Sequence, residues 1–420
     1  MKRALSCLLI FSELSLCIAG AVSALAQEPS ANKMLKRMDA DGDGRIVRDE
    51  WLGPPPGFDR FDLDKSGALT RQEIDTVLSR REKPAAAKPG QTTAKIDWID
   101  VHVHPNGGKR NRDFRSAVGG AVDAIKESSM VRAVLMPTPQ SGGATWVMED
   151  FMNEGNRHPS LFAYLGGGGT LNPMIHTESP DGTVSSELKQ RFRSRAEEIL
   201  ARGAAGFGEM SALHVALVPG HPFESVQPDH PLLLLLADIA AENDAVIDLH
   251  HDPVAEDMQT PKWLAQLANP PMLSKNIDGL ERLLAHNRKA KIIWAHAGSD
   301  NVGHWTVKLS RRLLEAHSNL YMSLRMAPGR GDAQAKTHHP VGSGFVKPGW
   351  TKLLQDFPDR FVLGGDQFFT SAFVSGPAAT FGKHAKKIRN NAFAFLTYLQ
   401  PDLARKIGYE NAARLYKFDK

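Results

Sequence analysis

The chain from Lys95 onward alternates short apolar runs with longer amphipathic stretches, and this alternation constrains the fold more than any other feature of the sequence. The runs are Asp97–Val103, Ala133–Met136, Leu161–Leu165, Ala205–Gly208, Ala245–Leu249, Lys291–Ala295, Leu320–Leu324 and Phe361–Leu363. Eight short strands separated by helices are typical of an α/β fold in which helices surround a closed parallel sheet. We therefore predict a (β/α)8 TIM barrel for residues 95–420.

An open, doubly wound sheet is the alternative fold, but its usual nucleotide-binding motif is missing. Gly166–Gly169 lacks the G-x-G-x-x-G spacing that opens a helix after a strand. The charge is also nearly balanced, with 51 Lys and Arg against 47 Asp and Glu and a net charge of +4. No block of like charges is present, so we expect no nucleic-acid partner.

Residues 1–26 have the pattern of a secretory signal peptide. Lys2 and Arg3 precede an apolar stretch, and residues 24–26 (Ala-Leu-Ala) fit an A-x-A cleavage site. Glu13 interrupts the apolar stretch, which argues against a membrane anchor. Both cysteines lie in this segment, so the mature chain is expected to have no disulfide. We predict an exported protein, periplasmic or secreted, with no membrane partner after cleavage.

Two acidic segments within residues 27–82 match the twelve-residue EF-hand loop. This loop surrounds Ca²⁺ with oxygen ligands at alternate positions, including the backbone carbonyl at position 7 and a glutamate at position 12. The predicted calcium ligands are Asp39, Asp41, Asp43, Arg45 and Glu50 in the first loop, and Asp62, Asp64, Ser66, Ala68 and Glu73 in the second. Ile46 and Leu69 stand at position 8, where paired loops form a short two-stranded sheet.

The predicted EF-hand pair is small and all-α apart from that pairing. The segment 53–57 (Gly-Pro-Pro-Pro-Gly) leaves little room for full helices between the loops, so the pair resembles compact bacterial EF-hand pairs. The second loop offers only three carboxylates and should bind calcium more weakly. Residues 83–94 contain prolines and alanines and are predicted to be a semi-rigid linker.

Polar side chains stand at the ends of several apolar runs. His102 and His104 end the first run, and because side chains alternate along a strand, both can bind one metal from the same face. Asp100 shares that face and could orient one of the imidazoles. The further predicted metal ligands, each after a different run, are Glu209, His250, His296 and Asp366. A barrel places its active site at this end of its strands, so we predict one metal site.

Some of these assignments involve a choice. Glu209 could bind substrate instead of metal, and His250 is preferred to His251 because it closes the apolar run. Arg325 follows the seventh run and is predicted to bind an anionic group of the substrate, the alternative being an ion pair remote from the site. The stretch 338–339 (His-His) is interpreted as a solvated loop, with a lid as the alternative.

The whole arrangement resembles the amidohydrolase superfamily, and in particular its amidohydrolase-2 family of metal-dependent hydrolases, over essentially all of residues 95–420. The matching segments are Asp100–His104 (D-x-H-x-H), 229–231 (Asp-His-Pro) and 411–415 (Asn-Ala-Ala-Arg-Leu). The resemblance implies one divalent metal, usually zinc, held by His102, His104, His250 and Asp366. It further implies that His296 binds a second metal or polarises the substrate. Glu209 is similar to the strand-4 glutamate of TatD-type hydrolases, which helps to hold two metals.

The resemblance implies an enzyme that uses a metal-activated water on a small-molecule ester, amide, lactone or phosphoester. The metal lowers the pKa of its bound water to about 7, and Asp366 would accept the proton and pass it to the leaving group. One alternative is a metal-dependent decarboxylase similar to aminocarboxymuconate semialdehyde decarboxylase. Another is a non-catalytic calcium-dependent binding protein, which the complete ligand set disfavours. The sequence contains no motif that identifies the substrate or an oligomeric state.

Overall fold

The computed structural model of the 420-residue chain describes residues 31–51, 55–82, 96–141, 146–327, 336–342, 345–375, 379 and 382–418. The chain divides into two compact units, with the boundary between Ala94 and Lys95. The predicted signal peptide and linker lie outside the described residues. Among the helices of the described ranges, none is both long enough and apolar enough to cross a bilayer.

The first unit contains the two EF-hand loops. Its elements are α1 (Ala31–Met38), β1 (Arg45–Val47), a 3-10 turn (Arg48–Glu50), α2 (Pro55–Phe61), β2 (Ala68–Thr70) and α3 (Arg71–Glu82). Strands β1 and β2 pair antiparallel with Ile46 opposite Leu69, and both side chains are buried in a small core with Phe58. The 3-10 turn belongs to the first loop, and among the described residues the seven-residue helix α2 is the element between the two loops, as the short connection predicts.

The second unit is built on a closed parallel sheet, which confirms the predicted barrel. Its strands in chain order are β3 (Trp98–Asn106), β4 (Met130–Leu135), β5 (Phe162–Gly167), β6 (Gly206–Ser211), β7 (Val246–His250), β8 (Lys291–Ala297), β9 (Leu320–Leu324) and β10 (Phe361–Leu363). Each strand pairs with the next, and β10 returns to β3 through Leu363 opposite Asp100. The eight strands therefore form a complete ring.

All eight predicted runs lie on these strands, but several strand ends differ from the prediction. Strand β3 extends to Asn106, so His102 and His104 lie inside it. The extension exists because a further strand, β11 (Gln367–Thr370), resumes after β10 and pairs with β3, placing Phe368 opposite His104. Strand β6 likewise runs past Gly208 and contains Glu209.

Helices lie between the strands in sequence and follow the apolar periodicity. They are α4 (Phe114–Lys126), α5 (Met148–Gly155), α6 (Leu171–His176), α7 (Ser186–Ala201), α8 (Pro231–Glu242), α9 (Ile277–His286), α10 (Val307–Ala316), α11 (Pro348–Asp356), α12 (Ala385–Thr397), α13 (Pro401–Arg405), a π-helical turn (Lys406–Glu410) and α14 (Asn411–Tyr416). Helix α7 begins after Ser185, whose hydroxyl accepts a hydrogen bond from the Leu188 amide. Its buried residues recur every three or four positions from Leu188 to Ile199, as expected for a helix packed on a sheet.

The C-terminal helix closes one end of the barrel. Ala412, Leu415 and Tyr416 of α14 belong to the same buried cluster as Ile99 and Val101, which point into the barrel. Their burial removes apolar surface from water and stabilises the closed ring. The 411–415 motif therefore has a structural role. The predicted metal ligands lie at the opposite end of the barrel, where the strands have their carboxyl ends.

Short strand pairs occur in the loops of the second unit. They are Leu213–His214 with Glu224–Ser225, Met258–Gln259 with Met272–Leu273, and Val341–Gly342 with Phe345–Val346. Several of these loops share a small apolar cluster that includes Leu213, Leu273 and Val302. This packing holds the loop after β6 against those that follow β7 and β8.

Candidate metal centre

The six predicted metal ligands come together at the carboxyl ends of the barrel strands. The Nε2 atoms of His102 and His104 are 3.0 Å apart. Oε2 of Glu209 lies 3.5 Å from the first and 3.3 Å from the second of these atoms. Asp366 completes the group, with Oδ1 3.5 Å from His104 Nε2. Four side chains, from strands β3 and β6 and from the β10–β11 connection, thus lie close together.

The other oxygen of Glu209 belongs to a second group. Oε1 lies 2.8 Å from His250 Nδ1 and 3.0 Å from His296 Nε2. These three side chains are buried, and their ligand atoms lie within 4.8 Å of one another. The grouping differs from the one the family resemblance implies, because His250 lies with His296 instead of completing the His102 group. Glu209 is shared by both groups.

Two of these residues have an unusual backbone. His296 has a φ of 69° and Asp366 a φ of 52°, in the left-handed region that non-glycine residues seldom adopt. Both residues stand where the chain turns away from the end of a barrel strand. Such conformations cost free energy and are found mainly where surrounding structure holds a functional side chain in place.

The polar neighbours of each imidazole indicate which of its nitrogens faces the centre. His104 Nδ1 lies 3.1 Å from the Met136 carbonyl, which can only accept, so the proton is on Nδ1. His102 Nδ1 lies 3.2 Å from Oδ1 of Asp248, which is fully buried. Both Nε2 lone pairs are therefore directed at the same point, an arrangement that a cation stabilises.

The carboxylate beside a ligating imidazole is Asp248 and not Asp100, so the predicted role of Asp100 is wrong. Asp100 accepts hydrogen bonds from the backbone amides of His102 and Gly365 and from the Gln367 side chain, so it braces the strand ends. Neither oxygen of Asp248 accepts a hydrogen bond within the described part of the chain, which leaves His102 as its neighbour. The sequence offered one indication of this role: Asp248 stands two residues before the predicted ligand His250, so both side chains lie on the same face of β7.

The charges of the site fit a divalent cation. Burial disfavours ionised Glu209, but His102 and its neighbours hold the pKa of that carboxyl well below its ordinary value. Burial also opposes a charged His250, yet Asp252 and Glu209 raise its pKa to about 10. Ionised carboxylates thus favour positive charge on the imidazoles, and a bound cation would supply that charge at the centre.

We expect Asp248→Asn to weaken metal binding at His102 by about 10- to 100-fold, the usual effect of removing a carboxylate that orients a ligating imidazole. The asparagine has the same shape but no charge to hold the Nδ1 proton. Chelator competition on the purified chain measures the affinity. A greater loss of metal in Asp100→Asn than in Asp248→Asn would contradict the assignment.

Arg325 forms an ion pair with Asp366, one of the predicted metal ligands. One of its terminal nitrogens lies 3.1 Å from Asp366 Oδ2, and the other donates to the Ser299 hydroxyl at 3.1 Å. Burial disfavours ionised Asp366, but the Arg325 guanidinium and His104 hold the pKa of that carboxyl below its ordinary value. Arg325 lines the cavity and orients Asp366, so its ion pair is not remote from the site.

Other histidines named by the sequence have separate roles. His251 belongs to neither ligand group and packs near Trp294, and burial lowers its pKa to about 4. His230 caps helix α8 by accepting the Leu232 amide. His338 lies 2.7 Å from Oδ2 of buried Asp300, so the interpretation of this stretch as a solvated loop is wrong.

A cavity of about 900 Å³ opens over the two ligand groups. It is large enough for a small-molecule substrate. Apolar contacts come from Trp146, Trp305 and Phe368, and further polar groups from His214 and His221. Sequence reasoning missed these two histidines, because they lie in a loop with no recognisable motif.

Several of the predicted calcium ligands cluster within each EF-hand loop of the first unit. Asp39, Asp41 and Asp43 form one cluster of carboxylates, and Asp62, Asp64 and Glu73 form the other. Backbone amides already shape each loop: Asp39 accepts from Gly42 and Gly44, and Glu50 accepts from Ala40 and Val47. In the second loop, Glu73 accepts hydrogen bonds from the amides of Leu63 and Thr70. The Ser66 hydroxyl donates a hydrogen bond to the Ala68 carbonyl.

Replacing the two position-12 glutamates, Glu50→Gln with Glu73→Gln, should weaken calcium binding at least about tenfold, because each supplies a bidentate carboxylate. Calcium titration calorimetry measures the change. Transition-metal content and turnover should remain those of the wild type. A large loss of turnover would instead mean that the EF-hand pair acts on the barrel.

The fold and the site define a barrel enzyme whose histidine and carboxylate side chains meet at the carboxyl ends of its strands. A sequence model described as amidohydrolase matches residues 99–418, and an EF-hand model matches residues 32–52 and 57–78. The chain therefore belongs to the amidohydrolase family, carries an N-terminal EF-hand pair, and is a hydrolase of the metal-dependent kind.

Known proteins resemble separate parts of the chain. The sarcoplasmic calcium-binding protein of Perinereis vancaurica tetradentata is 27% identical over 121 residues, which are 28% of this chain and 67% of that protein. Dihydroorotase from Campylobacter jejuni has 12% identity and a TM-score of 0.39, over 76% of this chain and 83% of its own. Amidohydrolase 2 from Bifidobacterium longum subsp. infantis has 12% identity and a TM-score of 0.38, over 77% and 99%.

Proposed function

We propose that this protein hydrolyses a small-molecule ester, amide, lactone or phosphoester at a two-metal centre, with zinc as the metal. The observation that supports this proposal is the position of Glu209, whose two oxygens lie separately against the His102–His104 pair and the His250–His296 pair. A carboxylate shared in this way suits two cations side by side. Imidazole and carboxylate donors together suit zinc.

When bound, the metal acts as a Lewis acid on the substrate and makes water acidic enough to react at neutral pH. The protein supplies the proton acceptor: Asp366 is 18% exposed against 5% for Glu209, so its carboxylate reaches the cavity. Arg325 orients Asp366 through its second oxygen, and Ser299 in turn holds Arg325. His296 lines the same cavity, and its Nε2 atom, 3.0 Å from Glu209 Oε1, would bind the second cation together with His250.

The decarboxylase alternative needs only one metal. In that case Glu209 would have no second cation to bind, although its Oε1 atom lies within hydrogen-bond distance of both His250 and His296. The positions of these side chains therefore favour hydrolysis.

The first test is elemental analysis of the purified chain after zinc reconstitution and dialysis, followed by a screen of esters, amides, lactones and phosphoesters. We expect about two zinc ions per chain and a hydrolytic activity that Asp366→Asn lowers about 10²- to 10⁴-fold, the range for loss of a general base. One zinc ion would favour the decarboxylase. Calcium alone would favour the binding protein.

We also propose that the protein is exported and binds calcium outside the cytoplasm. The support is the signal-peptide pattern of residues 1–26 together with two EF-hand loops, whose ligands suit a calcium-rich exterior. Mass spectrometry of the protein purified from its own cells should give an N-terminus at Gln27. An intact Met1 on the folded protein would contradict export.

A further inference from the structure

Three imidazoles stand in a row that leads from the metal centre to the cavity wall. The His214 ring packs edge-on against the His250 ring, with centroids 4.0 Å apart, and against the His221 ring, with centroids 4.5 Å apart. His214 and His221 both line the cavity, and neither belongs to the ligand groups. They are therefore available to a substrate that reaches the His250 side of the centre.

The hydrogen bond of His221 determines its tautomer. Its Nδ1 accepts the Leu217 backbone amide at 3.3 Å, and an acceptor nitrogen carries no proton. The proton of the neutral ring is therefore on Nε2. This leaves an N–H donor as the polar group that His221 can offer to the cavity.

The neighbours of His214 indicate the opposite tautomer. His176 Nε2 donates to the Ser211 carbonyl and lies 3.0 Å from the Ser211 hydroxyl, which donates in turn to Glu224 Oε2. The other oxygen of Glu224 accepts the Ser141 amide, so this carboxylate acts only as an acceptor. The buried Nδ1 of His214 lies 3.8 Å from Glu224 Oε2, and a proton on Nδ1 is attracted to that oxygen. His214 Nε2 is then a hydrogen-bond acceptor.

We propose that His214 and His221 form a substrate-binding subsite that recognises an uncharged group with both a donor and an acceptor, namely a hydroxyl or a carboxamide. The inference rests on the proposed function for the reaction, but the recognition depends only on the two rings. An anionic group would meet the His214 lone pair here, whereas Arg325 offers it a cation elsewhere in the cavity.

Binding of small probes to the zinc-reconstituted full chain tests this subsite without any turnover. The probes are benzamide, benzyl alcohol and benzoate, which share one ring and differ in a single substituent. We expect His214→Phe, which retains the ring packing on His250 and removes no hydrogen bond of the protein, to weaken benzamide and benzyl alcohol about tenfold and to leave benzoate unchanged. Titration followed by ligand-observed NMR gives the affinities.

Two further variants separate recognition from folding. His221→Phe should weaken the two neutral probes, and His221→Gln, which retains an N–H donor and an acceptor for Leu217, should restore most of the affinity. His384→Phe, at another imidazole of the cavity lining, is the matched control and should change nothing. Equal losses for benzoate, undiminished binding in His214→Phe, or no binding of the neutral probes to wild type would overturn the subsite. Intact probe selectivity without hydrolysis would contradict only the proposed function.

Discussion

Replacement of both His102 and His104 by alanine is expected to remove transition metal from the barrel and to leave calcium binding unchanged. The two Nε2 atoms are 3.0 Å apart and both point at the centre, so the double variant loses two neighbouring ligands at once. Activity should fall by about 10³-fold or more, since the main source of electrostatic stabilisation is lost. Elemental analysis and calcium titration of the same preparation measure both effects.

The calcium stoichiometry of the double variant is its internal control, because the EF-hand ligands belong to the other compact unit. His384→Ala provides a second control, as this imidazole lines the cavity but belongs to neither ligand group. Full zinc occupancy in the double variant would show that the site has been assigned wrongly.

Glu209→Gln should have the next largest effect, because one side chain serves both ligand groups. A neutral amide of the same shape cannot neutralise two cations, so we expect zinc to fall from about two ions per chain to one or fewer. Activity should fall about 10²- to 10³-fold, as for loss of a preorganised electrostatic group. Metal analysis and steady-state kinetics on the same sample give both values.

The matched control is Glu224→Gln, another buried glutamate from the loop after β6, which should retain both zinc ions. Retention of two zinc ions in Glu209→Gln with only a raised KM would mean that Glu209 binds substrate. That result would also remove the argument for a second metal.

The barrel could be predicted because each of its strands is a short apolar run with its own flanking signals. The ends of the strands could not be predicted, because they depend on pairing partners that are far away in the sequence. Strand β3 extends three residues beyond Val103 since β11 pairs with that extension, and β11 follows Asp366 without an apolar run of its own. A non-local pairing of this kind leaves no periodic trace in either segment.

Within the site, the sequence located ligands more readily than the side chains around them. His102 and His104 follow from alternation along one strand, but alternation cannot say which carboxylate of a neighbouring strand reaches an imidazole. Asp100 and Asp248 are both buried, and only the three-dimensional arrangement of the barrel places Asp248 beside His102. The position of Glu209 between two ligand groups and the pairing of His214 with His221 could not be predicted for the same reason. Both depend on contacts between segments that are far apart in the sequence.

The closure of the barrel by its last helix has a consequence for how the chain folds. Residues of α14 cover the same interior as Ile99 and Val101 near the start of the unit, and β10 must return to β3. Contacts between distant segments form late and slow folding. A chain in which α14 has not yet packed therefore leaves this apolar interior open to water, so the barrel reaches its final form only when residues 411–416 cover it.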